Sequence, residues 1–137
     1  MKMETTIDTK AKRILVVEDD KDINHLIHYN LSKRDYKVDC VYDGIKEKEI
    51  LTNNVFDVVI LDVMLPGING FKLCEFIKSN TANFRTFVVL LTARAEPLDK
   101  IYGNVVGADC YMTKPFSVSK LMDIVREFSF KRINDNQ

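Results

Sequence analysis

The sequence has no surplus of charge: 20 Lys and Arg stand against 20 Asp and Glu, for a formal net charge of zero. Without a basic surplus there is no electrostatic footprint for a phosphate backbone, so direct nucleic-acid binding is disfavoured. Cysteine is scarce too. Cys40, Cys74 and Cys110 are odd in number and far apart, with no CxxC pair or His–Cys cluster. That argues against a disulfide framework and against a zinc site, and leaves reduced thiols as the plain reading. No long apolar run occurs. The longest are of strand length, such as Val58 to Leu61, so no membrane span is expected. Met1 to Lys12 lacks the apolar middle of a signal peptide and reads as a flexible polar leader; Lys131 to Gln137 reads as a polar tail. No internal repeat or low-complexity segment is present. The absences together fit a cytoplasmic protein.

What remains is an ordinary globular composition, 46% hydrophobic and 29% charged over 137 residues, enough for one domain, placed at 13–130. Its pattern alternates in type. Arg13 to Val17 is a short β-branched run read as a buried strand, followed by Ile23, Leu26, Ile27 and Leu31 at helical spacing. Lys37 to Val41 predicts a second strand, Gly44 to Leu51 a short polar helix, and Val55 to Leu61 a third, almost wholly apolar strand. A Pro–Gly turn leads to a helix carrying Phe71, Cys74, Phe76 and Ile77. Phe87 to Leu91 is a fourth strand, Pro97 to Val106 a weak helix interrupted by Gly103, and Asp109 to Met112 a brief fifth strand. Val118, Leu121, Met122, Val125 and Phe128 mark the last helix. Five strands alternating with five helices imply right-handed crossovers and a doubly wound parallel α/β sheet. In such sheets function sits at the carboxyl ends of the strands, beside a topological switch point.

Those ends carry complementary groups. The first strand runs into Glu18, Asp19 and Asp20, the third into Asp62, the fourth into Thr92, and the fifth towards Lys114 and Pro115. Clustered carboxylates repel one another, and the usual resolution is a hard divalent cation with oxygen ligands; few carboxylates with room for water and phosphate favour Mg2+. Such a site suits phosphoryl chemistry, with a carboxylate as nucleophile and metal, lysine and hydroxyl answering the phosphoryl oxygens. Singly, Asp19 or Asp20 could be a helix cap, Thr92 a turn hydroxyl and Lys114 a surface charge. Four strand ends delivering matched groups to one edge make those separate explanations jointly improbable. His25 and His28, in a polar stretch of the first helix, have no carboxylate or cysteine at ligand spacing and read as solvated.

Four segments carry a family resemblance: Ile14 to Asp20 (ILVVEDD), Leu61 to Gly70 (LDVMLPGING), Leu91 to Arg94 (LTAR) and Gly107 to Phe116 (GADCYMTKPF). In this order and spacing, over about Lys12 to Phe130, the chain resembles receiver domains of two-component response regulators. The resemblance implies a (βα)5 flavodoxin-like (CheY-like) fold with a five-stranded parallel sheet, and a signalling switch rather than a turnover enzyme. It implies that Asp62 is the phosphoacceptor and that Glu18 and Asp19 bind Mg2+ together with Asp62 and the backbone carbonyl of Met64. Asp20 falls to the loop or helix start. Thr92 would bond a phosphoryl oxygen, Lys114 would contact Asp62 and the phosphoryl group, Tyr111 matches the aromatic switch position, and the small Ala93 leaves access to the acceptor. Pro115 would follow a cis peptide. Met64 and Arg94 stand where side chains influence hydrolytic water. The implied partners are a sensor histidine kinase or phosphotransfer protein and a downstream protein target, bound through a surface of the fourth helix, fifth strand and fifth helix.

Two other readings fit less well. A flavodoxin-like FMN protein needs a phosphate-cradling loop after the first strand, where this chain offers Glu18, Asp19, Asp20, Lys21 and Asp22. An aspartyl phosphohydrolase would place its nucleophile early, with a second acid two residues on. The segments Leu65 to Gly70 and Thr92 to Arg94 look like receivers attached to winged-helix transcription factors, which usually dimerise through charged residues of the last two helices. Cys110, Lys120 and Ile124 depart from that charge pattern. The expectation is therefore a monomer or weak dimer, a single-domain regulator acting through protein contacts.

Overall fold

The structure is a computed structural model, and it describes residues 12–65, 68–80, 82–93, 101 and 103–135. Seven strands and four helices are bounded among them: β1 Arg13–Val17, α1 Lys21–Ser32, β2 Lys37–Val41, α2 Gly44–Asn53, β3 Val58–Asp62, β4 Met64–Leu65, β5 Ile68–Asn69, α3 Gly70–Asn80, β6 Phe87–Thr92, β7 Cys110–Thr113 and α4 Val118–Asp135. A fifth helical segment containing Ile101 and residues 103–105 lies between β6 and β7. The leader to residue 11, Pro66 and Gly67, Arg94, most of the weak helix predicted from Pro97, and the last two residues lie outside the described residues.

Five strands form one parallel sheet in the order β2-β1-β3-β6-β7. This is the doubly wound flavodoxin-like arrangement expected. Strand alternation explains its two cores. Leu15, Val17, Val59, Leu61, Val88 and Leu90 face one side and pack with Leu51, Phe71, Leu73, Cys74 and Ile77 from α2 and α3. Their neighbours Ile14, Val16, Val58, Ile60, Val89 and Leu91 face the other and pack with Ile27, Leu31, Leu121, Met122 and Val125 from α1 and α4. After β1 the chain winds outward to β2, then returns across β1 to β3. The loops leaving β1 and β3 therefore diverge, and a crevice opens where those two neighbouring strands end.

Several expectations shift in detail. The third strand begins at Val58 rather than Val55, which is exposed. Just before Val58, Phe56 N–H donates to Asn83 Oδ1 at 2.8 Å and Asp57 N–H to the Arg13 carbonyl at 2.8 Å. Leu26 leaves the core face of α1 and Asn24 takes its place, because the buried stripe is Asn24, Ile27 and Leu31. The turn after β3 is bracketed by a small antiparallel ladder, Met64 opposite Asn69 and Leu65 opposite Ile68. α4 runs to Asp135. No helix among the described residues is long and apolar enough to cross a membrane.

Candidate functional site

Parallel pairing brings the ends of β1, β3, β6 and β7 to one edge. Asp62 closes β3 in register with Leu91, and Thr92, fully buried, closes β6 one residue later. Asp62 is itself buried, its Oδ1 accepting from Met64 N–H at 3.0 Å and its Oδ2 from Lys114 Nζ at 3.1 Å. Lys114 leaves β7 through a main-chain bond to the Thr92 carbonyl at 2.7 Å, followed by a cis peptide to Pro115. Its Nζ also lies 2.6 Å from Glu18 Oε1. Lys114 thus pairs with both buried carboxylates, Glu18 and Asp62.

The loop after β1 is held from several sides. Glu18 N–H donates to the Val41 carbonyl at 3.1 Å, and Glu18 Oε2 accepts from Asp20 N–H at 3.0 Å. Asp20 is the N-cap of α1, accepting from Asp22 N–H and Ile23 N–H through Oδ1. It thus serves the helix, and leaves Glu18 and the exposed Asp19 to face Asp62. One carboxylate oxygen each from Glu18, Asp19 and Asp62 lies within 4.8 Å of the others. Behind this cluster, Gly70 opens α3 so close to β3 that a Cβ would sit 2.5 Å from the Asp62 carbonyl oxygen and 2.6 Å from Val63 Cα. Only glycine permits that approach.

Burial raises the Glu18 carboxyl to about 7 against the opposing pull of Lys114 and the Asp20 N–H. Burial also lowers Lys114, but Glu18 and Asp62 outweigh it and leave the ammonium above its ordinary value. Three converging carboxylates are an all-oxygen donor set that suits a hard divalent cation, so the residues present fit Mg2+.

The remaining sequence candidates are placed as follows. Met64 directs its N–H to Asp62 and exposes its side chain beside it. Ala93 is exposed at the end of β6. Tyr111, in β7, is partly buried with its ring against the helical Gly103, where an added Cβ would meet Tyr111 Cδ2 at 3.1 Å. Arg94 lies outside the described residues. His25 is exposed and reaches Tyr42, and His28 is half-buried against Ser32; neither approaches the acidic cluster as a ligand. Sequence reasoning missed Asn24, whose buried side chain donates to the Glu18 and Val41 carbonyls at 3.0 and 3.3 Å. A helix phase set from Ile27 and Leu31 alone would have found it.

A doubly wound sheet with acids, a lysine and a hydroxyl at its switch point defines a class of small α/β domains with a polar ligand crevice at the strand ends. Comparison narrows the class. Residues 14–126 match the response regulator receiver domain family, and the chain belongs to it: it is a receiver domain of a two-component response regulator, a signalling domain. Among solved structures it is similar to the receiver domain of Francisella response regulator 1452, at 29% identity and a TM-score of 0.81, over 88% of this chain and 98% of that one. The BeF3-activated DrrB receiver domain is 34% identical with a TM-score of 0.80, over 86% and 97% respectively. Against DrrB of Thermotoga maritima, an OmpR/PhoB homolog, identity is again 34% and the TM-score 0.79, with 89% of this chain matching 54% of that one.

Proposed function

We propose that this receiver accepts a phosphoryl group on Asp62 from a sensor histidine kinase or phosphotransfer protein, and thereby switches a protein-binding surface. The observation that carries the reading is the setting of Asp62: buried at the end of β3, bonded to Lys114 Nζ at 3.1 Å, and converging with Glu18 and Asp19. A relative 34% identical is activated by BeF3, an anion whose shape and charge resemble a phosphoryl group, which supports an anion receptor here.

In the proposed step an Asp62 carboxylate oxygen attacks the phosphorus of a phosphohistidine. The O–P bond forms as the P–N bond breaks, and the leaving imidazole nitrogen keeps the electron pair and is then protonated. An acyl phosphate results on Asp62. Lys114 holds the carboxylate in place and then answers the added negative charge. Glu18, Asp19, Asp62 and the Met64 carbonyl would hold Mg2+, which supplies charge neutralisation at the phosphoryl oxygens. The Thr92 hydroxyl would donate to one of those oxygens. Its movement would free space for the Tyr111 ring, whose seat against Gly103 links the acceptor to the surface of β7 and its flanking helices.

Incubation with acetyl phosphate and Mg2+ is expected to add one phosphoryl group by intact mass, and Asp62→Asn to abolish it. Labelling of Asp62→Asn at the wild-type rate refutes the assignment.

A further inference from the structure

Asn24 occupies the core-facing stripe of α1, one turn before Ile27 and two before Leu31, where an apolar side chain would be the ordinary occupant. Its amide is fully buried and used asymmetrically. Nδ2 donates to the Glu18 carbonyl at 3.0 Å and to the Val41 carbonyl at 3.3 Å, while Oδ1 has no partner among the described residues. The orientation follows from chemistry, since both partners are carbonyl oxygens and can only accept. A buried acceptor left empty costs free energy that an aliphatic residue here would avoid. The amide is therefore kept for its donors.

Those donors close a clamp. The Val41 carbonyl accepts from both Glu18 N–H and Asn24 Nδ2, and Asn24 N–H bonds the Asp20 carbonyl at 2.9 Å. The main chain of residues 18–20 is thus tied to the end of β2 on one side and to the first turn of α1 on the other. Asp19 depends on this most. Its exposed side chain has no hydrogen bond or ion pair among the described residues, so only the main chain aims it at Asp62. We infer that Asn24 is a positioning residue for the metal site: its side-chain donors lock the Glu18 carbonyl and so hold the Glu18 and Asp19 carboxylates on their convergence with Asp62. The inference rests on reading that acidic cluster as a Mg2+ site.

Partners that orient metal ligands typically change affinity by about 10–100-fold when removed. The test titrates Mg2+ into the full chain, following the amide resonances of residues 18–20, for the wild type, Asn24→Ala, Asn24→Ser, Asp19→Asn and Asn83→Ala. Asn83 is an equally buried asparagine at the opposite edge of the sheet, bonded to residues 51, 54, 56 and 86, and controls for lost stability without touching the acidic loop. Asn24→Ala is expected to weaken Mg2+ at least tenfold, and Asn24→Ser, which keeps a donor, by less. Asn83→Ala is expected to bind as the wild type does despite lower urea stability. If both Asn24 variants bind within twofold of wild type while Asp19→Asn is impaired, the inference fails and the metal reading stands. If Asn83→Ala loses as much affinity as they do, Asn24 is merely structural. If the wild type shows no Mg2+ response, the metal reading falls and takes this one with it.

Discussion

Glu47 offers a stabilising substitution whose size can be worked from the structure. It lies in α2, fully buried, with neither carboxylate oxygen partnered among the described residues. Burial raises its pKa from 4.5 to about 8, with only a partial counter-effect from Lys48. The folded chain therefore holds Glu47 protonated at pH 7, whereas the unfolded chain ionises it. Between pH 4.5 and about 8 the folded state binds the extra proton, so stability falls as pH rises, by about 1.4 kcal/mol per unit. Below 4.5 both states are protonated and the penalty vanishes; above about 8 it is complete. At pH 7 about 2.5 units of that interval have been crossed, a penalty of about 3 kcal/mol. That is a large share of the roughly 5–15 kcal/mol typical of a domain.

Glu47→Gln removes the ionisation and keeps the size. It is expected to be about 3 kcal/mol more stable than the wild type at pH 7, more so at pH 8, and to converge with it near pH 4.5. Neighbouring Cys74 does not confound the comparison, because burial pushes its thiol up to about 12 and it stays neutral throughout. With no tryptophan in the chain, urea unfolding followed by far-ultraviolet circular dichroism is the suitable readout. Parallel stability curves for variant and wild type between pH 5 and 8 would refute a buried, neutral Glu47.

Gly70→Ala places a methyl 2.5 Å from the Asp62 carbonyl oxygen, so α3 must retreat from β3. A loss of about 1–3 kcal/mol by urea unfolding and slower acetyl phosphate labelling are expected together; a variant as stable as the wild type would contradict the close approach. The phosphorylated state is expected to be long-lived, because the Met64 side chain beside Asp62 is exposed and offers no hydrogen-bonding group to orient an attacking water. In a chase after removal of the phosphodonor, Met64→Asn is expected to shorten the lifetime, and decay of the unmodified protein within seconds would show that another group positions the water.

The sheet was legible because its central strands β1, β3 and β6 are buried on both faces and therefore read as nearly unbroken apolar runs. Strand limits were less so. Val55 is as apolar as Val58, and nothing local says that the Asn83 side chain takes up the Asn54 carbonyl and the Phe56 N–H. The ladder between Met64–Leu65 and Ile68–Asn69 likewise leads into a contact between segments, where Gly70 N–H bonds the Val63 carbonyl at 2.8 Å, rather than into a pattern within one.

The acidic edge was legible for a topological reason. A parallel sheet sends every strand's carboxyl end to one side, so Glu18, Asp62, Thr92 and Lys114 had to meet once the strands were identified. Asn24 and Glu47 were missed, because each is a polar residue on the inward side of a helix, and hydrophobic periodicity assigns such residues outward. In α1 this error exchanged Asn24 for Leu26. The two buried groups are nevertheless physically unlike. Asn24 has its donors on two carbonyls that shape the acidic loop, and removing it leaves those oxygens unpaired. Glu47 has neither oxygen partnered, so a side chain that cannot ionise removes the cost of protonating it on folding and breaks no bond. Burial of a polar side chain is therefore not enough to mark a functional role. The marker is what becomes unsatisfied elsewhere when the side chain is removed, and by that criterion Asn24 belongs with the site and Glu47 does not.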